Sequence, residues 1–368
     1  MIRIAITSVG SLVGQNILDS LEGRREGVEI IGINSVAAAA GNFRCDRAYL
    51  APPASRSGEY LDRLAAVLQE EKPDLVLPGR DDDVLALSLL KEAQPSLGPS
   101  LPVGPVRLAR VLDDKWESHE FARLHDLPFV DSALVDDPVA VGRLLARHGF
   151  PLIAKPRDGN GSRGVRIVFD QTQLAAAIRS PGILVQPYLD PEAGVTSWRD
   201  LAADGVPLFH APVLPQVACQ SVIGPDGRIR GLVSTIAEMV MGRSERTYRI
   251  DDPTVDAVVR RYAESFAGEG WVGILNLQGR RDREGTFPVY ELNGRFTGTT
   301  AARLHLGFDE VALLVEAFTG HKLPPRQCVG RQGVVIKSLT EFAMSPADIE
   351  QLQSDGQWQP DVRGATAR

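Results

Sequence analysis

The first 80 residues alternate between short apolar runs and amphipathic stretches. Apolar runs of strand length occupy residues 2–6, 28–33 and 75–77. Hydrophobic positions at helical spacing follow the first run at residues 15–21 and precede the third at residues 60–69. Strands that alternate with helices in this way usually pair in parallel, with helices on both faces of the sheet. The pattern therefore predicts a Rossmann-like α/β domain at the start of the chain.

The turn after the first strand can be compared with a dinucleotide fingerprint. Ser8 stands where the first glycine belongs, the third glycine is displaced to Gly14, and the second strand ends in Asn34 rather than in an acidic ribose ligand. We therefore interpret the domain as a nucleotide-fold relative without a dinucleotide, and an NAD(P)-dependent oxidoreductase is the alternative. The loop at residues 78–83, P-G-R-D-D-D, either lines a ligand site at a strand end or caps the next helix.

A glycine-rich loop joins two predicted strands in the middle of the chain. The first strand, residues 152–154, leads into Lys155, and the second strand covers residues 165–169. Glycines let backbone N–H groups point at an anion, and a lysine at a strand end adds a positive charge. The stretch predicts a phosphate site, and the alternative is a mobile hairpin with exposed basic residues. The glycines of the loop are Gly159, Gly161 and Gly164.

A second group of polar residues follows near residue 280. Residues 274–278 and 287–293 are predicted to form two strands of a hairpin, in which Gln278 faces Glu291 and Asn293 projects to the same side. These three oxygen donors suit Mg²⁺ rather than zinc. Arg295, two residues further on, can make paired hydrogen bonds to a phosphoryl group. The alternative is a solvent-facing strand with polar residues at alternate positions.

Composition narrows the class of protein. The chain has 368 residues, 43% of them hydrophobic and 24% charged, with a net charge of −7, which argues against a general nucleic-acid binder. No apolar run reaches membrane-spanning length and no signal-peptide pattern opens the chain, so we expect a cytoplasmic protein without a membrane partner. Cys45, Cys219 and Cys328 have neither zinc-site spacing nor a disulfide pattern, and Cys219 is interpreted as a packing residue. We expect residues 354–368 to be frayed.

Taken in order, these motifs resemble the ATP-grasp superfamily, nearest to ligases like the large chain of carbamoyl-phosphate synthase. The resemblance covers roughly residues 1–320 and includes D-D-K at 113–115, I-A-K-P-R-D-G-N-G-S-R-G-V, V-Q-P-Y-L at 185–189, and N-L-Q-G-R-R…Y-E-L-N-G-R-F-T-G-T-T. It implies an α/β fold, α+β overall, in which a Rossmann-like pre-ATP-grasp domain precedes a two-lobed ATP-grasp fold. The implied domains are 1–105, the pre-ATP-grasp domain; 106–185, the small lobe and lid; 186–320, the large lobe with the metal site; and 321–368, a C-terminal extension.

The resemblance also implies roles for single residues. Lys115 and Lys155 would contact ATP phosphates, Glu291 would bridge Mg²⁺ ions, with Mn²⁺ as an alternative, and Arg295 would steady the transferred phosphoryl group. The nucleotide-binding set is Lys115, Lys155, Gly159, Gly161, Ser162, Gly164, Gln186, Pro187, Tyr188, Leu189 and Glu192, and the metal set is Gln278, Glu291 and Asn293.

The sequence departs from the family pattern at three places. Gln186 stands where the hinge usually has a glutamate, and the usual acidic ribose ligand has no clean counterpart, Glu192 being the nearest. The family's Asn-Pro-Arg is Asn-Gly-Arg at residues 293–295. Arg243 or Arg246 either holds the acceptor anion or is an exposed loop residue.

The resemblance implies an ATP-dependent carboxylate–amine ligase that works through an acyl phosphate and releases ADP and phosphate. Its partners would be a small carboxylate and a small amine, and dimers are common in the superfamily. Besides the oxidoreductase, the other alternative is a nucleotide-binding regulatory protein whose ATP-grasp site does not turn over. The six histidines are scattered, and no Ser–His or Cys–His pairing is apparent, as expected where no protein nucleophile is needed.

Overall fold

A computed structural model describes residues 1–159, 164–189, 216–240, 243–282 and 284–360 of the chain. The described residues form three β-sheets with helices packed against them. None of the helices in this part of the chain has the length and hydropathy of a membrane span.

The first sheet has the strand order β15-β3-β2-β1-β4. Strands β1 to β4 are parallel to one another, as the alternation of strands and helices predicts, because each crossover returns the chain to the same edge. The strands are β1 (Ile2–Thr7), β2 (Val28–Asn34), β3 (Arg47–Leu50) and β4 (Leu75–Leu77), and the helices are α1 (Leu12–Leu21), α2 (Ser57–Glu71) and α3 (Asp81–Ala93). Two 3₁₀ helices follow β2 and α3, at Ala40–Arg44 and Pro95–Ser100.

The prediction that residues 354–368 are frayed is wrong for the part of this segment that the structure describes. Residues 354–360 are not frayed, because strand β15 (Gln357–Trp358) pairs antiparallel with β3 and extends the first sheet. Trp358 is 3% exposed and its ring lies edge-on to Phe43, with 5.0 Å between the ring centroids. The burial of this indole offsets the entropy of ordering a polar tail. Residues 361–368 lie outside the described part of the chain.

The second sheet is small and carries the glycine-rich loop. It has the order β5-β8-β6-β7 and is antiparallel throughout. Its strands are β5 (Ala133–Leu134), β6 (Leu152–Pro156), β7 (Arg166–Val168) and β8 (Ile183–Pro187). Helices α6 (Pro138–His148) and α7 (Gln171–Ala177) bury Val141, Leu144 and Leu174 against it. The antiparallel pairing of β6 with β7 places a loop, not a helix, after Lys155.

The third sheet has the order β13-β12-β9-β10-β11-β14, and every neighbouring pair is antiparallel. Its strands are β9 (Gln216–Ile223), β10 (Ile229–Val240), β11 (Arg243–Ile250), β12 (Gly273–Gly279), β13 (Val289–Asn293) and β14 (Val334–Ile336). The remaining helices are α8 (Pro253–Gly268), α9 (Thr300–His305), α10 (Glu310–Thr319) and α11 (Pro346–Asp355).

One apolar core joins the first and third sheets. Helices α4 (Val106–Asp113) and α5 (Lys115–Leu124) lie between them. The cluster that contains Leu64 and Leu108 continues to Trp271 and Leu275 of the third sheet region. Because this core is continuous, the start of α3 and the end of β13 are held in fixed positions relative to each other.

Candidate active site

The hairpin of β12 and β13 sets the positions of the predicted metal-binding residues. The register pairs Gln278 with Glu291 and Asn276 with Asn293 directly across the two strands, so the predicted facing of Gln278 and Glu291 is confirmed. Side chains two apart on a strand lie on the same face, and opposite pairs are neighbours. Gln278, Glu291 and Asn293 therefore present one carboxylate and two amide groups to one side of the sheet.

Lys155 reaches this hairpin from the second sheet. Its Nζ donates to the carbonyl of Tyr290 at 3.0 Å and lies 5.4 Å from the centre of the Tyr290 ring. The side chain is buried, and burial lowers its pKa to about 7, an effect that Glu291 opposes and Lys115 reinforces. Lys155 is thus within electrostatic reach of both a candidate metal ligand and a second cation.

Lys115 lies at the start of α5, where Asp114 caps the helix by accepting from the N–H of Trp116 at 2.8 Å. The ammonium group of Lys115 turns back and donates to the carbonyls of Gly159, at 3.1 Å, and Arg157, at 3.4 Å. Arg157 in turn pairs with Asp114 at 2.7 Å. The first residues of the glycine-rich loop are therefore tied to the helix that carries Lys115.

The glycine-rich loop is described only at its two ends. Gly159 and Gly164 have φ angles of +95° and +76°, which L-residues with side chains rarely adopt. These two glycines thus serve the turns at which the chain leaves β6 and approaches β7. Gly161 and Ser162 lie outside the described residues.

Arg295 makes a two-point ion pair with Asp81 of the first domain. Its Nε lies 2.8 Å from Oδ1 of Asp81, and its Nη2 donates to Oδ2 at 2.8 Å. The same Nη2 donates to Oδ1 of Asn293 at 3.2 Å. Burial acts to lower the pKa of Arg295, but the carboxylates of Asp81, Glu291 and Asp83 together outweigh burial and raise that pKa. Arg295 therefore links the candidate metal residues to helix α3.

Asp81 belongs to the acidic loop for which the sequence left two interpretations open. The three aspartates of this loop all stand in the first turn of α3, where negative charge is favourable. Asp83 is fully buried and binds the hydroxyl of Tyr60 at 2.6 Å, so its role is structural. Asp81 is different, since it faces the third sheet. Nearby Asp113 has its pKa raised to about 6, by burial and then by Asp81 and Asp82.

Gly294 is explained by a close approach of the backbone to an aromatic ring. A Cβ at this position would lie 2.7 Å from Cζ2 of Trp271 and 3.0 Å from Cδ1 of Leu112. A side chain at this position would collide with the indole of Trp271, which is fully buried and closely packed and so has no room to move. The glycine between Asn293 and Arg295 is thus matched to Trp271.

The predicted hinge begins in the last two residues of β8, Gln186 and Pro187, and continues to Leu189. Gln186 is 2% exposed and its amide donates to the hydroxyl of Ser132 at 2.9 Å, so a neutral side chain is satisfied where the family has an acid. The N–H of Tyr188 donates to the carbonyl of Pro151 at 3.1 Å. Glu192 lies outside the described residues.

Arg280 contacts the hinge, and sequence reasoning assigned it no role. Its guanidinium donates to the carbonyl of Leu189 at 3.0 Å and lies 5.9 Å from the centre of the Tyr188 ring. The signal available in the sequence was the G-R-R triplet at residues 279–281, directly after the β12 strand. Arg280 therefore fixes the path of the hinge from the third sheet.

Several other candidates lie apart from this cluster. The Asn34 amide donates to the carbonyl of Val36 at 3.0 Å. The same side chain packs against Gly10 and so fills the space beside the first turn. Arg246 pairs at 3.4 Å with Glu238 on the neighbouring strand, and the side chain of Arg243 is not described. Cys219 is buried and its pKa is raised to about 12 by burial, which leaves it a packing residue rather than a nucleophile.

The donor set fits a hard cation. The described residues contain no cluster of three His, Cys, Asp or Glu side chains that could hold a metal. One carboxylate with two amides is a weaker set, which suits Mg²⁺ bound together with phosphate oxygens and water. Oε1 of Gln278 accepts a hydrogen bond from Nε2 of Gln216, so this oxygen points toward the Gln216 side chain.

Comparison with solved structures identifies the fold. N5-carboxyaminoimidazole synthetase from Staphylococcus aureus, complexed with ADP, matches with a TM-score of 0.65 and 13% identity over 91% of this chain and 80% of that one. The biotin carboxylase domain of Hydrogenobacter thermophilus 2-oxoglutarate carboxylase, in complex with MgADP, ADP and bicarbonate, matches at 0.64 and 14% over 89% and 72%. L-amino acid ligase from Bacillus licheniformis matches at 0.61 and 16% over 87% and 74%.

Sequence comparison gives two weaker matches. The carbamoyl phosphate synthase large chain of Thermus thermophilus is 25% identical over 272 residues, which is 72% of this chain and 26% of that protein. The vancomycin C-type resistance protein VanC1 of Enterococcus gallinarum is 30% identical over 69 residues, 18% of this chain and 20% of that protein. The chain thus matches about a quarter or less of the length of these curated relatives. No family model matches the chain.

The structural matches are ATP-grasp ligases, and they cover about nine tenths of this chain. The chain therefore has the ATP-grasp fold, preceded by a Rossmann-like domain, as its motifs predict. The roles of the individual site residues remain predictions.

Proposed function

We propose that this chain is an ATP-dependent carboxylate–amine ligase. One observation carries the proposal: Lys115, Lys155, Glu291 and Arg295, from three different parts of the fold, lie within electrostatic reach of one another. Glu291 acts on the pKa of both Lys155 and Arg295, and Lys115 acts on that of Lys155. Cations around a single carboxylate suit a polyphosphate with a bound divalent cation.

The residues divide the work of phosphoryl transfer among them. Lys115 and Lys155 hold the phosphates of ATP by charge, and Arg295 binds the phosphoryl group in transit through its planar guanidinium. Mg²⁺ would be held by Glu291, Gln278 and Asn293, and it would neutralise charge on the phosphates. The hinge backbone binds the adenine ring, and it consists of Gln186, Pro187, Tyr188 and Leu189.

The reaction consists of two displacements. A substrate carboxylate oxygen attacks the γ-phosphorus of ATP, the bond to the β-phosphate oxygen breaks, and ADP leaves. The amine then attacks the acyl carbon, phosphate leaves with the bonding electron pair, and the amine loses a proton to give an amide. No protein nucleophile takes part, in agreement with the burial of Cys45 and Cys219 and with the pKa of each thiol, raised to about 12.

The comparisons also support the cofactor and partner assignments. Because two of the structural matches that we report are bound to ADP or MgADP, we propose ATP and Mg²⁺ for this chain. We propose small-molecule substrates and no nucleic-acid or membrane partner, a cytoplasmic location suited to three free cysteines, and the four domains at 1–105, 106–185, 186–320 and 321–368. A homodimer is proposed by analogy, since the biotin carboxylase domain is described as a dimer.

A screen of acid and amine pools for ADP release tests the function. The ligase is expected to release ADP and phosphate only when an acid is present, and to form a hydroxamate when hydroxylamine replaces the amine. Release of AMP and pyrophosphate would overturn the acyl-phosphate mechanism. Nucleotide binding without turnover across the pools would favour a regulatory protein, and binding of NADH would favour the oxidoreductase.

A further inference from the structure

The face of β12 that carries the metal candidates changes from apolar to polar along the strand. Ile274 is 1% exposed and belongs to the core, Asn276 is 0% exposed, and Gln278 is half-buried. A fully buried amide costs free energy unless its polar atoms are hydrogen-bonded. Asn276 is level with Asn293 and one pair further from the strand end than Gln278 and Glu291, and because it is fully buried its bonds do not depend on solvent.

The bonds of Asn276 determine which way its amide points. Its Nδ2 donates to the backbone carbonyl of Cys219 at 2.9 Å and to Oε1 of Gln220 at 2.9 Å. A backbone carbonyl can only accept, so the nitrogen must occupy this side and the oxygen the other. Oδ1 of Asn276 is thereby turned toward β13.

The orientation passes on to the opposite residue of the hairpin. Asn293 donates through Nδ2 to Oδ1 of Asn276 at 3.3 Å, and its own Oδ1 accepts from Nη2 of Arg295 at 3.2 Å. A flipped Asn293 would set oxygen against oxygen on one side and N–H against N–H on the other. Both ends of the amide therefore favour the same orientation.

Gln220 bears a cost in this arrangement. Its side chain is 0% exposed, and its Nε2 finds no hydrogen-bond partner among the described residues. An unsatisfied buried N–H lowers stability, because its hydrogen bonds to water are lost and not replaced. Oε1 of the same Gln220 amide accepts the hydrogen bond from Asn276. This hydrogen bond, and not packing alone, accounts for a glutamine at this buried position.

We propose that Asn276, held by Gln220 and the Cys219 carbonyl, is a positioning residue that orients Asn293 for the bound cation. The inference rests on the proposed function and concerns a residue that contacts a proposed metal ligand rather than the metal. Asn276 would touch neither nucleotide nor metal; it orients Asn293 so that Oδ1, which also accepts from Arg295, is the atom that would face the cation. Partners of this kind commonly change metal affinity by about 10–100-fold when removed.

The test is a calorimetric titration with ADP, in saturating Mg²⁺ and in EDTA. Asn276→Leu is expected to weaken ADP binding about tenfold in Mg²⁺ and to change it less than about twofold in EDTA. Gln220→Leu, which leaves the Cys219 contact intact, should act in the same direction but less. Ser221→Ala is the matched control, because Ser221 is equally buried on β9 but points to the opposite face.

A double variant separates positioning from a general loss of structure. If Asn276 acts through Asn293, Asn276→Leu should have no further effect on Mg²⁺-dependent binding in an Asn293→Ala background. Equal weakening with and without Mg²⁺, additive effects in the double variant, or unchanged binding in both Leu variants would overturn the inference. Wild-type protein that binds ADP without any Mg²⁺ dependence would overturn the proposed metal site as well. If Asn276→Leu does not fold, Gln220→Leu carries the test.

Discussion

Asp81, at the first position of α3, and Arg295, two residues after β13, form an ion pair with two contacts of 2.8 Å. The two residues are 214 positions apart in the chain, and their side chains are only 14% and 12% exposed. The Rossmann-like domain thus completes the candidate site by holding its arginine. If Arg295 binds a phosphoryl group as proposed, we expect it to share its donors between Asp81 and that group.

Replacing Asp81 should destabilise the protein. Asp81→Asn leaves the guanidinium of Arg295 without its charged partner in a largely buried position, and we expect a loss of about 1.5–3 kcal/mol in the free energy of unfolding. Urea denaturation followed by circular dichroism measures the loss. Asp82→Asn is the control, since Asp82 is 51% exposed and meets Arg80 only at 3.9 Å, and it should change stability by less than about 0.5 kcal/mol. Equal effects of the two variants would contradict the prediction.

Nucleotide binding should take up a proton at Lys155. In the free protein its pKa is about 7, mainly because it is buried, and a phosphate beside Nζ would raise that pKa. Above pH 7 the free lysine is neutral and the bound one charged, so ADP affinity should decline as pH rises. Calorimetry at pH 8 in buffers of different ionisation enthalpy should detect an uptake close to one proton. In Lys155→Met this uptake should be lost, and any proton exchange that remains would come from the nucleotide itself.

The same lysine should make folding depend on pH. The pKa of Lys155 is lowered from 10.5 in the unfolded chain to about 7 in the folded protein, so the unfolded state binds more protons between these values. Lys155 therefore destabilises the fold most below pH 7, and stability should rise as pH increases toward 10.5. Thermal melts of the wild type and Lys155→Met should diverge with falling pH, the variant being the more stable. Parallel melting curves across this range would refute the assignment.

Lys115 should matter for both the loop and the nucleotide. Lys115→Met removes two hydrogen bonds to the carbonyls of Arg157 and Gly159, together with the charge offered to phosphate, so ADP affinity should drop by about 10–100-fold. Lys91→Met is the matched control. Lys91 also donates to two backbone carbonyls, those of Leu101 and Val103, but at α3, away from the cleft. The control should lower the melting temperature and leave ADP affinity unchanged.

Glu291 should carry the Mg²⁺ dependence. Glu291→Gln removes the single negative charge of the proposed ligand set, so the affinity for ADP in Mg²⁺ should decrease by at least about tenfold and approach the value in EDTA. Glu238→Gln should have no effect on binding, because Glu238 lies on β10 of the same sheet, where its side chain is 42% exposed and pairs with Arg246. Retention of the full Mg²⁺ effect in Glu291→Gln would remove Glu291 from the metal site.

Alkylation should distinguish the three cysteines. Cys328 is exposed, whereas Cys45 and Cys219 are buried, and burial raises the pKa of both buried thiols to about 12. N-ethylmaleimide should therefore add one group to the native protein and three after denaturation, counted by mass spectrometry. ATP turnover should survive the first modification. A native adduct on Cys219 with loss of turnover would restore the thiol as a candidate nucleophile.

Local pattern was enough for much of the fold. The alternation of apolar runs and amphipathic stretches determined the parallel first sheet, and the polar turn between β12 and β13 determined a register that pairs Gln278 with Glu291. Hairpin register depends on neighbours in sequence, which is why it could be predicted. The order of the motifs along the chain also indicated the ATP-grasp fold.

Contacts between distant parts of the chain were decided only by the tertiary structure. The lowered pKa of Lys155, the pairing of Arg295 with Asp81, the turn of Lys115 toward Gly159 and the burial of Trp358 all join elements that are remote in sequence. Sequence spacing sets which face of a helix or strand a side chain occupies. The packing of those elements against one another then decides which partner it meets and how far it is withdrawn from water.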